Sequence, residues 1–383
     1  MCAFFDHARK LNSISPVHWH RMAATQSSTL DEDQVSHFLA DVARAFADHR
    51  FSPHPWFKGG HAQTLAAFAW PRRFRLRAPA DEARLFQVAA DTQVLGHCRW
   101  QPNPGEHPTV VIWHGIEGSS SAVYMRATAH KAFGAGFNVV RMNLRNCGGT
   151  EHLTPTLYHG GLSDDLKAVV AELIERDGLA RIYLVGFSLG GNMVLKLAGE
   201  YDDEPPREVM AVCAVSPSID LGASADLITR DSNWLYHRDF LRRLKSRLRH
   251  KHKLFPKLYD ISAVDLIRTI REFDDRYTSR AHGFADAADY YHRASAIRVV
   301  NKIRLPTLVI HGQDDPFIPF APLTDPALAA NPYILLMAPE RGGHVAFLGS
   351  NDAGEDRFWA ENRVVEFCKL ADEVLQSHDQ PET

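Results

Sequence analysis

Cysteine is scarce in this 383-residue sequence: Cys2, Cys98, Cys147, Cys213 and Cys368 are odd in number, scattered, and form no C-x-x-C pair. That excludes a disulfide framework and a thiolate metal site, and a reducing compartment such as the cytoplasm fits best. Charge of one sign is lacking too. The 43 Lys and Arg against 46 Asp and Glu leave a formal charge of -3, so nucleic acid or an anionic membrane could be met only by a local patch. No uncharged apolar run approaches the ~18 residues that would cross a bilayer. The first twenty residues are broken by Asp6, Arg9, Lys10 and Pro16, which argues against a secretory signal, and Met22 offers an alternative start. Repeats and low-complexity tracts are missing, as is any G-x-G-x-x-G or Lys-bearing phosphate loop, so no nucleotide cofactor is expected. His250 and His252 lack further ligands at metal-binding spacing, so no metal is expected either.

What is present is a globular composition, 45% hydrophobic and 23% charged, with enough apolar material for a sizeable core. The stripe Val35, Phe38, Leu39, Val42 and Phe46 predicts an amphipathic helix in an N-terminal extension, residues 1–50. Two short runs, 83–90 and 92–100, read as a β-hairpin. From there Val/Ile-rich runs at 109–113, 137–142, 181–185, 209–215, 306–310 and 333–337 alternate with helical stretches at 121–133, 162–177, 191–201 and 357–376. Strands apolar on both faces imply an α/β fold with a mostly parallel sheet flanked by helices. The alternation stops between 216 and 303, where helical segments near 234–253, 263–273 and 284–296 predict a helical insertion over the sheet. The core is thus expected in two parts, 51–215 and 304–376, followed by a polar tail at 377–383.

Gly186-Phe187-Ser188-Leu189-Gly190 fits G-x-S-x-G, a pattern too short to mean much alone. Here a strand leads into it and a helix leaves it, the context of a nucleophile elbow that presents an exposed serine hydroxyl at a helix N-terminus. The glycines are required because side chains two positions either side would collide across so sharp a turn. A serine hydroxyl needs a base to take its proton and a third group to orient that base. In an elbow-type fold the acid and then the histidine follow in the chain, at the ends of later strands. The run 306–310 leads to Asp314 and Asp315, and the run 333–337 leads to Gly342-Gly343-His344. His344 is therefore the expected base and one of the adjacent carboxylates its partner; His311, which precedes the acid, reads as a packing or locally hydrogen-bonded residue. Two N–H donors must meet the developing oxyanion. Leu189 supplies one, and Ile116, in the loop His114-Gly115-Ile116-Glu117-Gly118-Ser119, is expected to supply the other, with Glu117 and Ser119 supporting the loop.

These residues resemble the α/β-hydrolase superfamily. More narrowly, Gly60-His61-Ala62-Gln63-Thr64-Leu65, the 114–119 loop, Arg271-Glu272-Phe273-Asp274-Asp275, His282-Gly283-Phe284-Ala285-Asp286 with Asp289-Tyr290-Tyr291, and Asp314-Asp315-Pro316-Phe317 resemble the YheT-like hydrolases, over about residues 50 to 375. The resemblance implies a Ser188, Asp315, His344 triad, with Asp315 preferred over Asp314, and hydrolysis of small-molecule or lipid carboxylic esters through an acyl-enzyme. It makes 216–303 a lid. Where relatives commonly have Gly this chain has Asn146, which tolerates a left-handed backbone. An acyltransferase using the same triad and a non-catalytic binding module on the same fold are the competing readings. The run 241–253, in which every charge is basic and leucines recur at helical spacing, reads as a solvated lid helix whose leucines face the sheet. A membrane-surface helix is disfavoured there because the run lacks Trp and Phe anchors.

Overall fold

The computed structural model describes residues 31–72, 80–350 and 354–378. The alternative start at Met22 and most of the polar tail lie outside them. Eight strands form one sheet in the order β1-β2-β4-β3-β5-β6-β7-β8: β1 Glu82–Ala89, β2 Thr92–Arg99, β3 Thr109–Trp113, β4 Asn138–Met142, β5 Ile182–Phe187, β6 Val209–Val215, β7 Thr307–Ile310 and β8 Ile334–Met337. The β1–β2 hairpin is antiparallel and joins β4 antiparallel, whereas β3 to β8 pair in parallel. Every residue of β3, β4, β5 and β7 is buried, as expected when helices cover both faces of a parallel sheet.

Helix α1, Glu32–Ala47, begins at a capping box made by Asp31 and Gln34 and buries the whole apolar stripe. Its Phe38 ring lies 5.7 Å from that of Phe367, on the C-terminal helix Trp359–His378. The remaining helices that position the site are α2 Gly60–Ala69, α3 Val123–Gly134, α4 Ser163–Glu175, α5 Leu189–Tyr201, α6 Leu221–Ile228 and α7 Trp234–Leu254.

Between β6 and β7 the chain is entirely helix and turn. Two expectations change here. The segment 263–273 is not one helix: Thr269 caps a new start by accepting from the Glu272 N–H, and Asp274–Thr278 continues it as a turn of π-helix. The leucines of α7 meet a second apolar cluster and not the main core of the sheet. Leu241, Leu244 and Leu248 are buried with Ile267, Ile270 and Phe273 of the insertion and with Phe317 and Ile318 of the loop after β7, because the insertion packs its apolar side onto the loops above the sheet.

Candidate active site

Strand β5 delivers Ser188 with φ 56° and ψ −115°, a strained conformation for a residue with a side chain, and α5 starts at the next residue. A Cβ on Gly186 would overlap the Gly190 carbonyl, and one on Gly190 would stand 2.6 Å from the Trp113 carbonyl oxygen, which explains both glycines of the elbow. The Ser188 N–H is tied to the Val215 carbonyl at 2.9 Å, anchoring the turn to the neighbouring strand. Ser188 is only 6% exposed. Most of the residue is covered, and Ser188 lies in the wall of a cavity that residues of the insertion help to line.

The loop after β7 carries Asp315 and the loop after β8 carries His344. Their side chains meet at 2.8 Å, Nδ1 to Oδ2. The other oxygen, Oδ1, accepts from the N–H groups of Phe317 and Ile318 at 2.8 and 3.0 Å. Burial alone would raise the pKa of Asp315, but the adjoining imidazole and these hydrogen bonds hold it below the ordinary carboxylate range. Asp314 turns the other way and accepts from the Gly343 N–H at 2.9 Å. His311 is buried and stacks 6.1 Å from Phe320, with no hydrogen bond at either ring nitrogen. It packs. Among the described residues Asp315 and His344 are joined by a hydrogen bond, and Ser188 is joined to neither by one. The spatial link is Phe317, whose ring lies 4.7 Å from the His344 ring and which shares the cavity wall with Ser188.

Gly115 brings the 114–119 loop against the elbow: a Cβ there would lie 2.8 Å from the Ser188 Cβ and 3.2 Å from its Oγ. The amides flanking Ile116 are already engaged, Gly115 N–H with the Tyr124 hydroxyl at 3.2 Å and Glu117 N–H with the Tyr158 hydroxyl at 3.0 Å. Among the described residues the N–H groups of Ile116 and Leu189 have no acceptor, so two donors are left unpaired beside Ser188. His114 is a structural part of this loop. Its Nε2 accepts from Leu144 N–H at 3.1 Å, its Nδ1 donates to the Gly115 carbonyl at 2.7 Å, and burial pushes its pKa down to about 4. Ser119 is placed at the approach to α3, its hydroxyl accepting from Ser121 N–H at 3.3 Å.

The family model for the alpha/beta hydrolase fold matches residues 108–350. The chain belongs to that family. Its relatives include the putative esterase YheT of Escherichia coli (strain K12), 33% identical over 82% of this chain and 91% of that protein. A monoacylglycerol lipase of Saccharomyces cerevisiae is 32% identical over 69% of this chain and 59% of its own length. A solved Pyrococcus furiosus esterase shares the fold with a TM-score of 0.50 at 19% identity, over 78% of this chain and 95% of that one. No helix among the described residues is long and apolar enough to cross a membrane.

Within this alpha/beta hydrolase site, the support residues are what sequence reasoning missed. Thr64 Oγ1, on α2, accepts from the His344 N–H at 2.9 Å, and Gln63 Oε1 accepts from Leu348 N–H at 2.7 Å, so the Gln63-Thr64 pair holds the histidine loop. Arg247, on α7, reaches Glu117 with Nε and Nη2, both at 2.9 Å, and Glu151 with Nη1 at 3.2 Å. Tyr158 donates to Glu117 at 2.8 Å. Glu117 itself has φ 53°, a left-handed conformation held by these three bonds. The cavity beside Ser188, about 100 Å³, is mostly apolar, with Leu221, Ile228, Leu244, Ile270 and Phe273 in its wall. Its main acidic lining group is Asp274, which accepts from the Thr278 and Tyr291 hydroxyls at 2.7 Å each and whose pKa burial pushes up to about 6.

Proposed function

We propose that this chain is a serine hydrolase of carboxylic esters acting through an acyl-enzyme. Ser188 Oγ attacks the ester carbonyl, and Nε2 of His344 takes its proton. Asp315 stays ionised, keeps the remaining proton on Nδ1, and stabilises the imidazolium. The N–H groups of Leu189 and Ile116 receive the oxyanion. The imidazolium then protonates the departing alcohol, and water, deprotonated by His344, releases the acid. No hydrogen bond yet joins Ser188 to His344, in keeping with catalytic bonds that tighten only once substrate is bound. Residues 216–303 act as the lid, and their apolar wall takes the acyl part of the substrate. The esterase and lipase names of the relatives support this class.

The observation that carries the reading is the strained Ser188 beside two unpaired N–H donors, with the hydrogen-bonded Asp315–His344 pair packed on Phe317, which lines the same cavity. Labelling with a fluorophosphonate and turnover of p-nitrophenyl esters test it. Both are expected in the wild type and lost in Ser188→Ala. A folded wild type that neither labels nor turns over, or a Ser188→Ala variant that does, overturns the assignment.

A further inference from the structure

Helix α2 buries Gln63 and Ala67. Its opposite face carries His61, Leu65 and Phe68 at helical spacing, with Leu65 56% and Phe68 80% exposed. The His61 ring stacks on Tyr236, in the first turn of α7, at 5.7 Å and 7°. The two residues before Tyr236 are Trp234 and Leu235, 55% and 61% exposed. That contact joins the two elements that expose these four large apolar side chains, Leu65 and Phe68 on α2 and Trp234 and Leu235 on α7. Tyr236 in turn packs edge-on against Phe317 at 4.5 Å, and Phe317 against His344. The contact between α2 and α7 therefore lies on the histidine side of the site.

The chemistry beside it is cationic. Helix α7 carries eight Lys and Arg residues against one acid, Asp239, in a chain whose formal charge is -3. With Leu241, Leu244 and Leu248 turned inward, Leu235, Arg238, Arg242, Ser246, Arg249 and Lys253 follow one another along the outward side at intervals of three and four. Among the described residues Arg238 and Lys253 form no ion pair, while Arg242 and Arg243 share Asp239. This row runs for about 27 Å at 1.5 Å per residue, a length suited to an extended plane of negative charge, not to a single acidic group. The anchors missing from 241–253 are supplied by the first turn of the same helix and by α2.

We propose that this face docks on an anionic lipid surface, with Trp234, Leu235, Leu65 and Phe68 entering the interface and Arg238, Arg242 and Lys253 meeting lipid phosphates. Docking brings the histidine side of the site towards the lipid and does not depend on the reaction catalysed there.

The test is co-sedimentation of the full chain with vesicles of phosphatidylcholine alone or mixed with phosphatidylglycerol, at low and raised salt. Size exclusion and circular dichroism confirm that each variant is folded and report its oligomeric state. The wild type is expected to bind the anionic vesicles, release them at raised salt, and show a blue shift in tryptophan emission. Leu65→Ser/Phe68→Ser/Leu235→Ser, which keeps Trp234 as reporter, should weaken binding by about tenfold or more. Arg238→Gln/Arg242→Gln/Lys253→Gln should abolish the preference for phosphatidylglycerol. A wild type that stays in the supernatant, or folded variants that bind as it does, overturns the proposal. So does a wild-type dimer that the apolar variant dissociates, since a second copy would then occupy the face.

Discussion

Glu117→Gln is the sharpest probe of the loop that carries Ile116. The Glu117 side chain is 3% exposed and that of Arg247 13%, and two bonds of 2.9 Å join them. Removing one charge of a buried pair costs about 3–5 kcal/mol when the other is left uncompensated. Here Arg247 keeps Glu151 at 3.2 Å, and the glutamine still accepts from Tyr158, so about 2–3 kcal/mol is expected in urea unfolding. Loss of a whole oxyanion donor lowers kcat by about 10²–10³. Relaxing the turn displaces the Ile116 N–H without deleting it, so kcat should fall by roughly 10- to 100-fold with KM within about threefold. The double variant Glu117→Gln/Arg247→Met separates the two effects. Replacing both charges relieves the stranded cation and should restore most of the stability, but the loop is still not held, so kcat stays low. Wild-type kcat in Glu117→Gln, or kcat recovered with stability in the double variant, would refute the reasoning.

Two further outcomes follow from buried carboxylates. Asp315→Asn should lower kcat by about 10³–10⁴ through loss of the imidazole tautomer, whereas Asp314→Asn, whose side chain among the described residues hydrogen-bonds the Gly343 amide and not His344, should stay within about tenfold; steady-state ester hydrolysis by both variants decides, and the reverse ranking would move the orienting role to Asp314. Asp274 has a folded pKa raised to about 6 from 3.8, so the stability it contributes is complete below about pH 4 and is lost as pH rises through 6. By linkage the wild type should lose up to about 3 kcal/mol relative to Asp274→Asn between pH 4 and pH 7, and urea unfolding that shows a pH-independent difference contradicts that sign.

The middle of the sheet was legible because β3, β4, β5 and β7 are buried on both faces. Runs such as Val209–Val215 admit neither alternation nor an amphipathic helix pattern, and the structure keeps their bounds to within one or two residues. Asn146, expected to bear a left-handed turn, has φ 63°. The insertion was harder to read. Its helices bury leucines against one another, so the period of α7 was visible but its partner was not: Leu244 at helical spacing reads the same whether it meets the sheet or the second cluster. The break at Thr269 rests on a single side-chain cap, a weaker signal than the apolar spacing that ran through it.

At the site, legibility followed whether a role was local in the chain. The elbow is local, so five residues and their flanks place Ser188. The choice between Asp314 and Asp315 is not: both sit on one turn, and only the bond to His344, 29 residues on, separates them. The supports are more remote still, Arg247 lying 130 residues from Glu117 and Thr64 lying 280 from His344. No spacing rule reaches that far. Yet the pattern of support follows a physical logic: each loop that must hold a reacting group is irregular backbone, unable to fix itself through a ladder of its own, and is tied by a side chain from a regular element, Thr64 from α2 and Arg247 from α7. Because one of those elements belongs to the insertion, movement of α7 away from the core would release Glu117 and displace the Ile116 N–H, coupling any opening over the cavity to loss of the oxyanion donor proposed there.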